Sequence, residues 1–221
     1  MASSLSFTKI AVALLLVSLA LVEARTADAS SSLTTETTKE ASATFDSESD
    51  GIRNSVEVVV SETAITSPEG TKRGLHANIE VLQAGSRGGD IRTIDLAGGV
   101  DTQPGGFDLS EDLSGASLHI TVPVCGAKVL HNGRLKQRAF DDCFDVQVDL
   151  QWTGSGEIAS ESGADEYQAG DCTVQVASAY RRRTSSATGT ISAGATNFSP
   201  GDSLTSLIGT SSRSTAVTCP D

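Results

Sequence analysis

Few side chains in this sequence are equipped for chemistry, and the acidic ones come closest to forming a cluster. Asp101, Asp108, Glu111 and Asp112 fall within the glycine-rich stretch 98–115. Calcium takes six to eight oxygen ligands from acidic loops, so these four are the candidate calcium ligands, although their spacing does not fit an EF-hand loop. A solvated loop is the preferred reading of the stretch. The three histidines are His76, His119 and His131. A Ser-His-Asp triad needs one oriented imidazole, and no local motif nominates any of the three. His119 falls on the polar face of a strand and His131 in a turn, so both are expected to be solvated.

Gly201-Asp202-Ser203-Leu204 spells the signature of the GDSL serine hydrolases. In that family the nucleophile sits early in an α/β domain and its Asp and His arrive together near the C-terminus. Here the seventeen residues after Leu204 include no histidine. Pro200-Gly201-Asp202 is therefore read as a turn and Ser203 as no nucleophile. Arg181-Arg182-Arg183 is the one dense basic run, expected to pair with surface carboxylates or to guard an edge strand. Asn197-Phe198-Ser199 is a formal N-glycosylation sequon, although Pro200 follows it. No catalytic set emerges.

The four cysteines, Cys125, Cys143, Cys172 and Cys219, lack the close C-x₂-C spacing of a zinc site, since the nearest two are eighteen positions apart. Disulfides are expected instead, and spacing alone permits three pairings. Strand phase narrows them. Cys172 is in step with Val174 and Val176, and Cys219 with Val217, so both point inward. Cys125 and Cys143 are each one step off the neighbouring apolar phase and point outward or lie in connections. Matching phases predicts Cys125–Cys143 and Cys172–Cys219.

The elements that must position these residues read as strands. Phe144, Val146, Val148, Leu150 and Trp152 alternate with Asp145, Gln147, Asp149 and Gln151. Successive strand side chains point to opposite faces, so this segment buries one face and wets the other. Weaker alternation occupies 55–63, 76–82, 91–96, 118–124, 172–180, 187–193 and 214–219. Pro123, on the outward phase, suggests an edge strand. Asn132-Gly133 is a strong hairpin signal within 128–140. With no amphipathic helix in view, the expectation is all-β: an antiparallel β-sandwich of about eight to ten short strands with two disulfides.

Lys9 precedes a thirteen-residue run, Ile10–Val22, that is apolar but for Ser18. At about 1.5 Å per residue it reaches roughly 20 Å, short of a hydrocarbon core of about 30 Å. Two small-residue sites follow, ending at Ala24 and Ala29. The pattern is that of a secretory signal peptide, residues 1–24 if the first site is used. Residues 25–51, rich in Ser, Thr, Glu and Ala, are expected to be a disordered linker, with the sandwich over 52–221.

Net charge is −12, which disfavours nucleic acid and anionic lipid as partners. Aromatic content is 4%, so stacking platforms for sugars are scarce. The expected function is a secreted, non-catalytic extracellular binding or structural module, needing no cofactor and facing an extracellular protein or glycan. The alternatives are a secreted hydrolase using dispersed carboxylates, or a protein inhibitor presenting the loop 128–138.

Overall fold

The computed structural model describes residues 31–49, 52–87, 90–131, 134–193, 196–198 and 203–220. The expected leader, 1–24, lies outside them. Ten strands follow in chain order: β1 (Ser32–Ser49), β2 (Ile52–Ser67), β3 (Gly70–Arg87), β4 (Asp90–Thr102), β5 (Phe107–Leu109), β6 (Gly115–His131), β7 (Arg134–Ala169), β8 (Cys172–Ala193), β9 (Thr196–Phe198) and β10 (Thr205–Thr218). The architecture is all-β and antiparallel with two disulfides.

The two walls implied by the alternation belong to one sheet. Its order is β10-β1-β2-β3-β4-β6-β7-β8-β9, and β10 also pairs with β8, so eight strands close into a ring. Closure leaves the eight-stranded ring without an edge through its core. β5 pairs with β6, and β9 with β8, beside the ring. An eight-stranded ring is just wide enough for its own side chains to fill. The filling is Ala41, Ala43 and Phe45 from β1, Val56, Val58 and Val60 from β2, and Leu75, Ala77 and Ile79 from β3. From the facing wall come Leu118, Val122 and Val124 of β6, and Val146, Val148, Leu150 and Trp152 of β7. The alternation on β7 therefore falls as its sequence predicts. Among the described residues the inward side chains of β7 are apolar and its outward ones polar, the reverse of a strand facing lipid. Among the described residues no helix is long and apolar enough to cross a membrane.

Most of the expected linker is corrected. Residues 32–49 form β1, paired along its length with β10 on one side and β2 on the other. Its composition is Ser/Thr-rich because it offers the core little beyond Ala41, Ala43 and Phe45. What orders it is a backbone ladder on both sides, which side-chain hydropathy does not register. Strand length is corrected for the same reason, with β7 alone running 36 residues. Pro123 is placed between ladders: β4 pairs with β6 at Val124 and beyond, and β5 pairs with it from Leu118 back, so the missing N–H falls in the interval. The edge inferred from Pro123 is thus local, within a strand that is otherwise interior.

A loop plugs one end of the ring. Leu113 is fully buried at φ 54°, a left-handed conformation uncommon for leucine. Its amide donates to the Ser110 carbonyl at 3.0 Å, and the Ser110 hydroxyl brackets Gly115, accepting from its amide at 2.8 Å and donating to its carbonyl at 2.7 Å. Beyond this plug six strands continue as a single layer: 159–169 of β7, 172–182 of β8, 209–218 of β10, and the adjoining parts of β1, β2 and β3. The stretch 159–169 is exposed throughout. Cys172–Cys219 staples β8 to β10 at the far end of this layer, and Cys125–Cys143 staples β6 to β7. Both pairings are those that strand phase predicts.

Candidate functional site

Among the described residues the core side chains fill the ring, and the candidate site lies on the outer surface. Polar residues on the outward phase of four neighbouring strands align in two rungs there. One rung runs Asp108 (β5), Ser117 (β6), Gln151 (β7) and Thr188 (β8). The next carries His119 (β6), Asp149 (β7) and Thr190 (β8). Together they line an open groove of about 540 Å³.

Two glycines shape it. At Gly189, φ is 144°, and a Cβ there would lie 2.0 Å from the Asp149 carbonyl oxygen. At Gly106, φ is 78°, and a Cβ would lie 2.3 Å from the His119 carbonyl oxygen. Each permits an approach to the neighbouring backbone that any other residue would block. The His119 amide donates to the Gly106 carbonyl at 2.6 Å, which draws that chain over the groove.

Within the groove, the Nδ1 of His119 is hydrogen-bonded to Oδ1 of Asp149. Such a contact holds an imidazole in one orientation and leaves Nε2 for a ligand. The same contact orients the base of a Ser-His-Asp triad. Among the described residues the His119 ring makes its hydrogen bond to Asp149 and to no hydroxyl or thiol. The arrangement presents carboxylate, imidazole, amide and hydroxyl groups on a rigid sheet, a set suited to hydrogen-bonding a polar ligand.

The remaining candidates are placed elsewhere. Ser203 is held as a structural group: its hydroxyl accepts from the Ala187 amide at 2.8 Å. Asp101 Oδ1 accepts from His76 Nδ1 at 2.7 Å. Asp112 turns back on its own loop, and the hydroxyl of Ser114, together with its amide at 2.9 Å, holds the Asp112 carboxyl below the usual carboxylate range. The Glu111 carbonyl accepts from Arg181 at 3.2 Å. Asp108 is separate from these, in the groove. Among the described residues no three His, Cys, Asp or Glu side chains form a group that could hold a metal ion. His131 is the last residue of β6, paired with Arg134, and Asn132-Gly133 lies outside the described residues. Asn197 sits on β9 opposite Ser192.

The arginine run is structural. Arg183 donates to the Leu113 carbonyl at 3.2 Å and to the Gly156 carbonyl at 3.1 Å, tying the plug to the irregularity in β7. Arg182 lies over the Tyr180 ring at 5.1 Å and 3.7 Å from Glu40. Sequence reasoning had His119 and Asp149 on polar faces but had no means of pairing them. Comparison with protein-family models, with curated proteins and with solved structures finds no match to this chain.

Proposed function

We propose that the chain is a secreted, non-catalytic binding module whose ligand face is the groove over β5, β6, β7 and β8. The carrying observation is the pairing of an apolar core cluster with an open outer groove lined by Asp108, Ser117, His119, Asp149, Gln151, Thr188 and Thr190. Groups of this kind, fixed on strands, exchange hydrogen bonds with water for hydrogen bonds with a polar ligand at little ordering cost. An extracellular glycan or a polar protein loop fits that description. Export is supported by the leader-like pattern of residues 9–29 and by two disulfides, which persist in oxidising compartments.

Binding of the purified protein to an array of soluble glycans and extracellular proteins tests the reading. Loss of a captured ligand in Gln151→Ala and Thr188→Ala, with circular dichroism unchanged, supports it. Ligands that bind both variants as well as the parent overturn the groove as the site. The oriented His119 favours one second reading, a hydrolase. Turnover of ester or glycoside substrates that disappears in His119→Ala would replace the binding role.

A further inference from the structure

We infer that the single-layer part of the sheet associates with a second copy of this chain through its two unlike edges. The layer is six strands wide, ordered β7-β8-β10-β1-β2-β3. On its β7 side, residues 159–169 pair with β8, while β6 has already ended its pairing with β7 at Thr153. On its β3 side, residues 70–74 pair with β2, while pairing with β4 begins at Leu75. Among the described residues, then, each stretch has a ladder partner on one side. An eleven-residue exposed edge is an open template for another strand.

Charge selects the partner. The β7 edge carries Glu161, Asp165 and Glu166, and the β3 edge carries Lys72 and Arg73, all exposed. Pairing β7 with β7 would set carboxylates against one another, and pairing β3 with β3 would set cations together. Pairing β7 with the β3 of a second copy matches opposite signs.

Direction and register agree. All neighbouring strands in the layer are antiparallel, so across six strands β3 runs opposite to β7. A second copy in the same orientation therefore adds its β3 antiparallel to β7. One rung crosses the layer as Gly163, Ser178, Arg213, Glu36, Ile65 and Lys72. Continuing that rung puts the second copy's Lys72 opposite Gly163, which has no side chain to obstruct it. Glu161 and Asp165 are then its diagonal neighbours on the same face, about 7–8 Å away and within reach of a lysine. The β3 edge offers five residues, so the association is weak and depends on concentration.

Sedimentation of the purified chain, with both disulfides formed, tests this across a concentration series. The weight-average mass should rise above that of the monomer and fall back near 1 M salt, where the Debye length is about 3 Å. Lys72→Glu/Arg73→Glu and Asp165→Lys/Glu166→Lys should each be monomeric alone, with unchanged circular dichroism. Mixing the two restores opposite edges and should restore the mass. A parent protein that stays monomeric at the highest soluble concentration overturns the inference. So does association that survives in either variant alone, or a mixture that remains monomeric.

Discussion

Trp152 on β7 donates its indole N–H to the backbone carbonyl of Ser42 on β1, 3.0 Å away, although β8 and β10 intervene between these strands in the ring. The side chain is 2% exposed, so this bond ties two parts of the wall through the apolar interior. Trp152→Phe keeps most of the buried ring and removes the donor. It should cost about 1–3 kcal/mol, the range for an orphaned buried partner. Trp152→Ala should cost more, about 3–5 kcal/mol, because a cavity is added. Urea unfolding followed by far-ultraviolet circular dichroism measures both. Equal losses in the two variants would show that the hydrogen bond alone, and not packing, matters there.

Leu113 sets two effects against each other. Its left-handed backbone costs about 1–2 kcal/mol, which glycine would relieve. Its fully buried side chain contributes about 2–5 kcal/mol, which glycine would lose. Burial wins, so Leu113→Gly should lower stability in thermal melts. A higher melting temperature would mean that the plug is strained without contributing packing.

Arg183 holds two carbonyls with two different nitrogens. Lysine has a single charged head and cannot reproduce that fork. Arg183→Lys should therefore lose most of what Arg183→Ala loses, about 1–3 kcal/mol for charge-assisted bonds. Hydrogen exchange should quicken at Leu113, whose amide bonds to Ser110, and at Gly154, whose amide bonds to Ser114. Full rescue by lysine would reduce the role to charge alone.

Removing Cys172–Cys219 opens a 47-residue loop, and removing Cys125–Cys143 an 18-residue loop. In the chain-entropy model these contribute about 4 and about 3 kcal/mol. The larger loss should also be local, since the first staple lies in the layer outside the main core cluster, beside buried Val174. Exchange in a Cys172→Ser/Cys219→Ser variant should accelerate over 172–176 and 213–218 while Val146–Trp152 stays protected. Uniform acceleration would show that the layer and the ring unfold together.

Asp46 carries a pH dependence. Burial pushes its carboxyl up, but hydrogen bonds from Arg53 and Ser55 and the charge of Arg53 outweigh that and hold it below the usual carboxylate range. A depressed folded value means that the stability it brings is complete above the unfolded value, about 3.9, and is lost as pH falls through the folded one. The stability gap between the parent and Asp46→Asn should thus be present at pH 7, begin to shrink below about pH 4 and vanish once the pH has fallen past the folded value. A gap that persists unchanged in acid would refute the linkage.

The groove shows where side-chain pattern stops being informative. A regular hairpin with His131 opposite Arg134 would place His119 opposite Val146, a polar residue against an apolar one. The structure pairs His119 with Asp149, three residues further along, because the register shifts between Val124 and Gly126. Alternation on both strands demands some odd shift of this kind, but not its size or its place. Cys125 and Cys143 continue the shifted register, in line with the Val124–Phe144 pair, and so mark where it begins.

Side-chain order alone determined which face of each apolar strand is inward, which cysteines share a phase, and that Ser203 lacks the partners of a nucleophile. Those features depend on a residue's own chemistry and the period of two. Tertiary structure decided that β1 belongs to the ring, that β8 and β10 close it, and that His119 meets Asp149. Each of these rests on backbone ladders between segments distant in the chain, and the amide and carbonyl groups that form them are common to nearly every residue type.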